Sequence, residues 1–81
     1  MENETVLKLP ERCTLAQFGK RLTVVMQKRG FDRRYVARSL NVTETCVRHW
    51  MAGDNYPNTQ LMVLLCMLLK VSMDFLVIGR V

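Results

Sequence analysis

Catalysis and metal binding find little to work with in this sequence. It holds one histidine, His49, and its seven carboxylates are scattered without the pairing that general acid–base chemistry needs. None of its four glycines forms part of a phosphate-cradling loop. Cys46 and His49 stand at i and i+3, a spacing that can ligate a metal. Two ligands do not make a zinc site, however, and Cys13 and Cys66 lack the CxxC spacing that would complete one. An enzyme, a metal, a cofactor and a small-molecule substrate are therefore not expected. The three cysteines are odd in number and lack the spacing of a disulfide framework, so free thiols in a reducing compartment are expected. Cys46 is expected as a small packing residue, with a redox switch beside Arg48 as the alternative.

Long apolar runs are missing too. The longest, "LMVLLCMLL" over residues 61–69, has nine residues, where about twenty would be needed to cross a bilayer. The opening "MENETVLKLP" carries two acids before any base and has no long apolar core, unlike a signal peptide. A cytoplasmic protein is expected.

What is present is a short, basic, mostly helical pattern. A chain of 81 residues allows one domain, buries only about 60 % of its unfolded surface and often leans on a partner. The net charge of +5 is unevenly placed: residues 12–48 hold nine Lys/Arg against Asp32 and Glu44, and the remainder is net acidic. A basic pole of this kind points toward a polyanion.

Residues 1–12 show no helical period. "TVLKLP" alternates weakly until Pro10, so an arm or short edge strand is expected there. A single domain follows over residues 13–81. Thr14, with Gln17 three residues on, is expected to start a helix carrying Leu15, Phe18, Leu22 and Val25 at helical spacing, with Gly30 as its stop. Asp32 can cap a second helix, "RRYVARSL", with Val36, Ala37 and Leu40 inward, and Asn41 suits a left-handed turn. Thr43 can cap a third helix with Val47 and Trp50 facing the core, ended by Gly53. Asn58 caps a fourth, and Ser72 a last helical turn in "VSMDFLV". The fold expected is all-α, a compact bundle of about five short helices. Helices 2 and 3 are separated by only "NVT", the spacing of a helix-turn-helix.

Over residues 18–77, about three quarters of the chain, this pattern resembles the lambda-repressor-like, or Cro-like, helix-turn-helix domains of phage and bacterial regulators. The resemblance lies in "FGKRL", Val36-Ala37, Leu40, Val42-Thr43, Val47, Trp50, Gly53, Pro57 and "LLKVSMDFL", in that order and spacing. Three positions depart from the family: Arg33 stands where glutamine is usual, Met51 where an acid commonly follows the tryptophan, and Asn41 where the turn glycine lies. The resemblance implies that helix 3 enters the major groove of double-stranded DNA, and by position it nominates Glu44, Thr45, Arg48 and His49 for base contacts. The helical wheel agrees, since Val47 and Trp50 set the buried side and residues 44, 45 and 48 turn away from it. Arg48 could donate in bidentate fashion to guanine, Glu44 could accept from cytosine, and Thr45 offers a hydroxyl and a methyl. Phosphate contacts are expected from Lys20, Arg21, Arg33, Arg34, Thr43, Asn55 and Tyr56.

Helix 4 is anomalous because residues 61–69 leave it no polar side. The resemblance places Met62, Leu65, Cys66 and Leu69 in the core. That leaves Leu61, Val63, Leu64, Met67 and Leu68, with Met73 and Phe75, as a dimerisation surface. A homodimeric repressor reading an inverted-repeat operator is the function expected. The alternative is a protein-interaction module or antirepressor that uses this apolar face on a partner.

Overall fold

The computed structural model describes residues 7–80. Five helices follow one another: α1 Leu15–Arg29, α2 Arg33–Leu40, α3 Glu44–Ala52, α4 Thr59–Leu69 and α5 Asp74–Ile78, the last a single π-helical turn. Among the described residues there is no strand. The expected arm or edge strand falls partly on residues 1–6, outside the described residues. Residues 7–12 form no strand, and Leu7 and Leu9 stand exposed.

Each helix begins where a side-chain oxygen can satisfy an orphan backbone amide. Thr14 Oγ1 accepts from Gln17 N at 3.1 Å, Asp32 Oδ1 from Tyr35 N at 2.8 Å, and Thr43 Oγ1 from Cys46 N at 3.1 Å. Asn58 Oδ1 accepts from Leu61 N at 2.9 Å, and Ser72 Oγ from Phe75 N at 3.0 Å. All five helices end in a left-handed residue. Three are glycines, but Asn41 (φ 58°) and Lys70 (φ 57°) carry a side chain into that region.

The apolar faces converge on one core. Phe18, Leu22 and Met26 of α1 meet Val36 of α2, Val47 of α3, Leu65 and Leu69 of α4, and Leu76 of α5, all essentially without solvent contact. Trp50 is 4 % exposed. The four α4 residues expected inside, Met62, Leu65, Cys66 and Leu69, are buried.

The outer side of α4 differs from expectation. Leu61, Leu68 and Phe75 are half-buried against the chain's own core, because the inward stripe of α4 is wider than the narrow one inferred for it. Val63, Leu64, Met67 and Met73 remain exposed. Met51 also packs against the core. Cys46, expected as a packing residue, is exposed: it flanks the stripe of Val47 and Trp50 in the first turn of α3, where the helix stands in solvent.

Three arginines tie the C-terminal third to α1 and to the segment before it. Arg29 donates from Nε to Leu69 O at 2.9 Å and from Nη2 to Lys70 O at 3.5 Å, at the end of α4. Arg21 donates from Nε to Leu76 O and from Nη2 to Val77 O, both at 3.0 Å. Arg12 reaches Gly79 O at 3.3 Å. A cation at the last carbonyls of a helix both satisfies them and opposes the negative end of the helix dipole.

Candidate nucleic-acid interface

The seat of α3 determines what the helix can present. Its fully buried positions are Val47 and Trp50, spaced to lie on one side and packed against α1 and α2. Its C-terminal end lies backbone to backbone against α1. A Cβ added at Gly19 would stand 2.5 Å from Met51 O, 2.9 Å from Gly53 N and 3.0 Å from Trp50 O. Gly53 approaches from the other side, where a Cβ would stand 2.9 Å from Leu15 O. Gly19 therefore fixes how closely α3 docks. In the sequence Gly19 stands out only as part of "FGKRL". The signal was there, because a glycine inside a helix costs about 1 kcal/mol relative to alanine and calls for a packing reason.

With its far end held this way, α3 leaves its first turns in solvent. Glu44, Thr45 and Arg48 are exposed, as is Cys46 in the same first turns. Glu44 is not free of partners: Arg34 Nε lies 3.7 Å from its Oε2, bridging α2 and α3 across the turn. Both groups are well exposed, so the pair contributes little stability. It does hold a donor and an acceptor together at the mouth of the helix-turn-helix. His49 sits farther along, half-buried, with Nδ1 2.8 Å from Asp54 Oδ2. Its ring is engaged with Asp54 in the loop after α3, one turn beyond Thr45.

The cations around this edge divide into two groups. Lys20, Arg33 and Arg34 are exposed near the N-terminal ends of the helix-turn-helix and on α1. Arg21 belongs with Arg12 and Arg29: its Nε and Nη2 donors already reach the end of α5. Thr43 uses its hydroxyl oxygen as the α3 cap. Asn55 is exposed in the loop after α3. Tyr56 packs its ring 5.1 Å from that of Phe18. Burial pushes the Tyr56 phenol up, the neighbouring Cys13 adds to this, and Arg21 opposes it. It therefore stays a neutral O–H donor at ordinary pH. Among the described residues no three His, Cys, Asp or Glu side chains group as a metal site would require.

A short helix, a turn closed by left-handed Asn41 and capped by Thr43, and a second helix anchored by Val47 and Trp50 make a helix-turn-helix. Set among α1, α4 and α5, it gives the all-helical helix-turn-helix fold, similar in form to the lambda-repressor-like, Cro-like domains that the sequence resembles. No protein-family model matches the chain, and no curated protein does. Solved structures do. The restriction-modification controller protein C.AhdI from Aeromonas hydrophila is 19 % identical, with a TM-score of 0.70 over 76 % of this chain and 94 % of its own. A transcriptional regulator from Listeria innocua is 29 % identical, with a TM-score of 0.72 over 80 % of this chain. The match spans 60 % of the Listeria protein.

Proposed function

We propose that this chain is a DNA-binding transcriptional regulator, working in the cytoplasm without enzymatic activity. It acts as a homodimeric repressor that reads an inverted-repeat operator through α3. The observation that carries this is the exposed edge of Glu44, Thr45 and Arg48, held out by the burial of Val47 and Trp50 and flanked by Lys20, Arg33 and Arg34. The solved structures of a transcriptional regulator and of a controller protein with the same fold support it. In such a domain the first turns of the second helix touch base edges while the flanking cations and amides fix register on the phosphates. Thr45 and Arg48 are the primary readers. Glu44 reads cytosine once Arg34 turns to a phosphate, and His49 serves at the margin. Thr43, Asn55 and Tyr56 complete the phosphate contacts, and Arg21 supports them from behind by fixing α5.

The homodimer rests on Val63, Leu64 and Met67 of α4 and on Met73 just before α5, large apolar side chains that stand exposed. A two-fold pair would present two copies of α3 to half-sites about one helical turn apart. The same apolar group favours one second reading, an antirepressor that covers it with a partner protein.

Salt-dependent binding of three variants separates the two. Arg33→Ala and Arg34→Ala should weaken binding to every duplex and each lower the salt slope by about 1. Arg48→Ala should cost about 1–3 kcal/mol and relax preference at one base position. If none of the three changes any DNA interaction, the antirepressor reading takes its place.

A further inference from the structure

A second candidate site lies outside the helix-turn-helix. Between the C-terminal half of α1 and the α4–α5 connection runs a cleft of about 400 Å³ whose floor is Val25, Val71 and Phe75. Its rim is Lys28, Arg29 and Arg80, and among the described residues no carboxylate and no residue of α2 or α3 lines it. Ser72 also lines it; its Oγ accepts from Phe75 N, which leaves the hydroxyl proton to donate. Arg29 is held in place by its bonds to Leu69 O and Lys70 O, so its charge is fixed at the cleft.

We propose that this cleft binds a small amphipathic carboxylate, an aliphatic or aromatic acid with its hydrocarbon on Val25, Val71 and Phe75 and its carboxylate among Lys28, Arg29 and Arg80. The volume is that of small-molecule sites, and an apolar floor with a few convergent polar groups is their usual chemistry. A neutral hydrocarbon would leave the three exposed cations to water, and a small inorganic anion would leave the floor wet. A ligand carrying both parts uses both surfaces. The occupant touches Phe75 of α5, the element next to Met73, so it acts as an effector at the C-terminal side and not as a competitor for DNA.

The test is a titration of the isotope-labelled full chain with sodium octanoate, with octan-1-ol and sodium acetate as controls, followed by amide chemical shifts. Octanoate should give saturable shifts confined to Val25, Lys28, Val71, Phe75 and their neighbours. Octanol should bind about tenfold more weakly or worse, and acetate should give no saturable shift at matched concentration. Lys28→Ala and Arg80→Ala, both at exposed positions that leave the core intact, should each weaken octanoate about two- to fivefold while leaving octanol unchanged. Absence of saturable shifts, equal affinity for octanol, or indifference to both variants overturns the proposal. So do shifts centred on Val63, Leu64 and Met67, which would mean that octanoate only coats the exposed face of α4.

Discussion

Replacing Gly19 by alanine should destabilise the protein, although the position lies inside a helix where alanine is ordinarily favoured. In α1 the exchange gains about 1 kcal/mol of intrinsic helix preference. Against this, the new Cβ stands 2.5 Å from Met51 O, with Gly53 N and Trp50 O at 2.9 and 3.0 Å. Ordinary contact begins near 3.4 Å, so the end of α3 must retreat by about 0.9 Å. All three obstacles are main-chain atoms, so no rotamer change relieves them. Overpacking costs about 1–3 kcal/mol, and an obstacle made of backbone belongs at the upper end. The net loss is about 2 kcal/mol, or about 8–16 °C in Tm for a domain of this size. Thermal melts followed by far-UV circular dichroism measure it. Gly30→Ala is the control: its φ is 74° with nothing within 4 Å, so it should lose about 1 kcal/mol of backbone preference without moving α3. At temperatures where both variants are folded, Gly19→Ala should lose sequence preference on DNA and Gly30→Ala should keep it. A Gly19→Ala protein that melts above the parent would refute the close seating of α3.

Further outcomes follow from the same contacts. Arg21→Ala should lose about 2–3 kcal/mol, because two charge-assisted bonds to Leu76 O and Val77 O disappear; hydrogen exchange at Gly79 and Arg80 should accelerate before the core does. Lys70→Gly should raise stability by about 1 kcal/mol, since Lys70 ends α4 at φ 57° and glycine enters that region without the Cβ penalty. Met67→Lys, at a position 67 % exposed, should convert dimer to monomer in sedimentation while leaving monomer stability within about 0.5 kcal/mol. Burial holds the Cys66 thiol above its usual range. A group raised in the fold gives stability that is complete below its unfolded pKa and falls as pH rises through the folded one. Urea unfolding should therefore show a loss beginning above about pH 8.5, and Cys66→Ala should flatten that limb while lowering the plateau.

The helices were readable from the sequence because their ends are encoded locally. Thr14, Asp32, Thr43, Asn58 and Ser72 each bond an amide three residues on, so the cap and its partner sit in one short window. The buried sides of α2 and α3 were readable for a similar reason, since so few apolar residues leave only one face to bury. What escaped depends on contacts distant in sequence. Arg21 looks like any exposed cation until its acceptors, 55 and 56 residues away, come beside it. Leu61, Leu68 and Phe75 could not be sorted from Val63, Leu64 and Met67 because a uniformly apolar helix carries no polar residue to mark its outer side. The pairing of His49 with Asp54 and of Arg34 with Glu44 depends on side-chain geometry that spacing alone does not set.

Selection of bound fragments from random duplex DNA at moderate salt, for the parent and for Arg48→Ala, tests the central claim most directly. Readout through α3 by a two-fold dimer predicts an enriched inverted repeat for the parent, with half-site centres about one helical turn apart. It also predicts relaxed preference at one symmetry-related position in each half-site for Arg48→Ala. Binding without enrichment, or the same enriched site from both proteins, would contradict it.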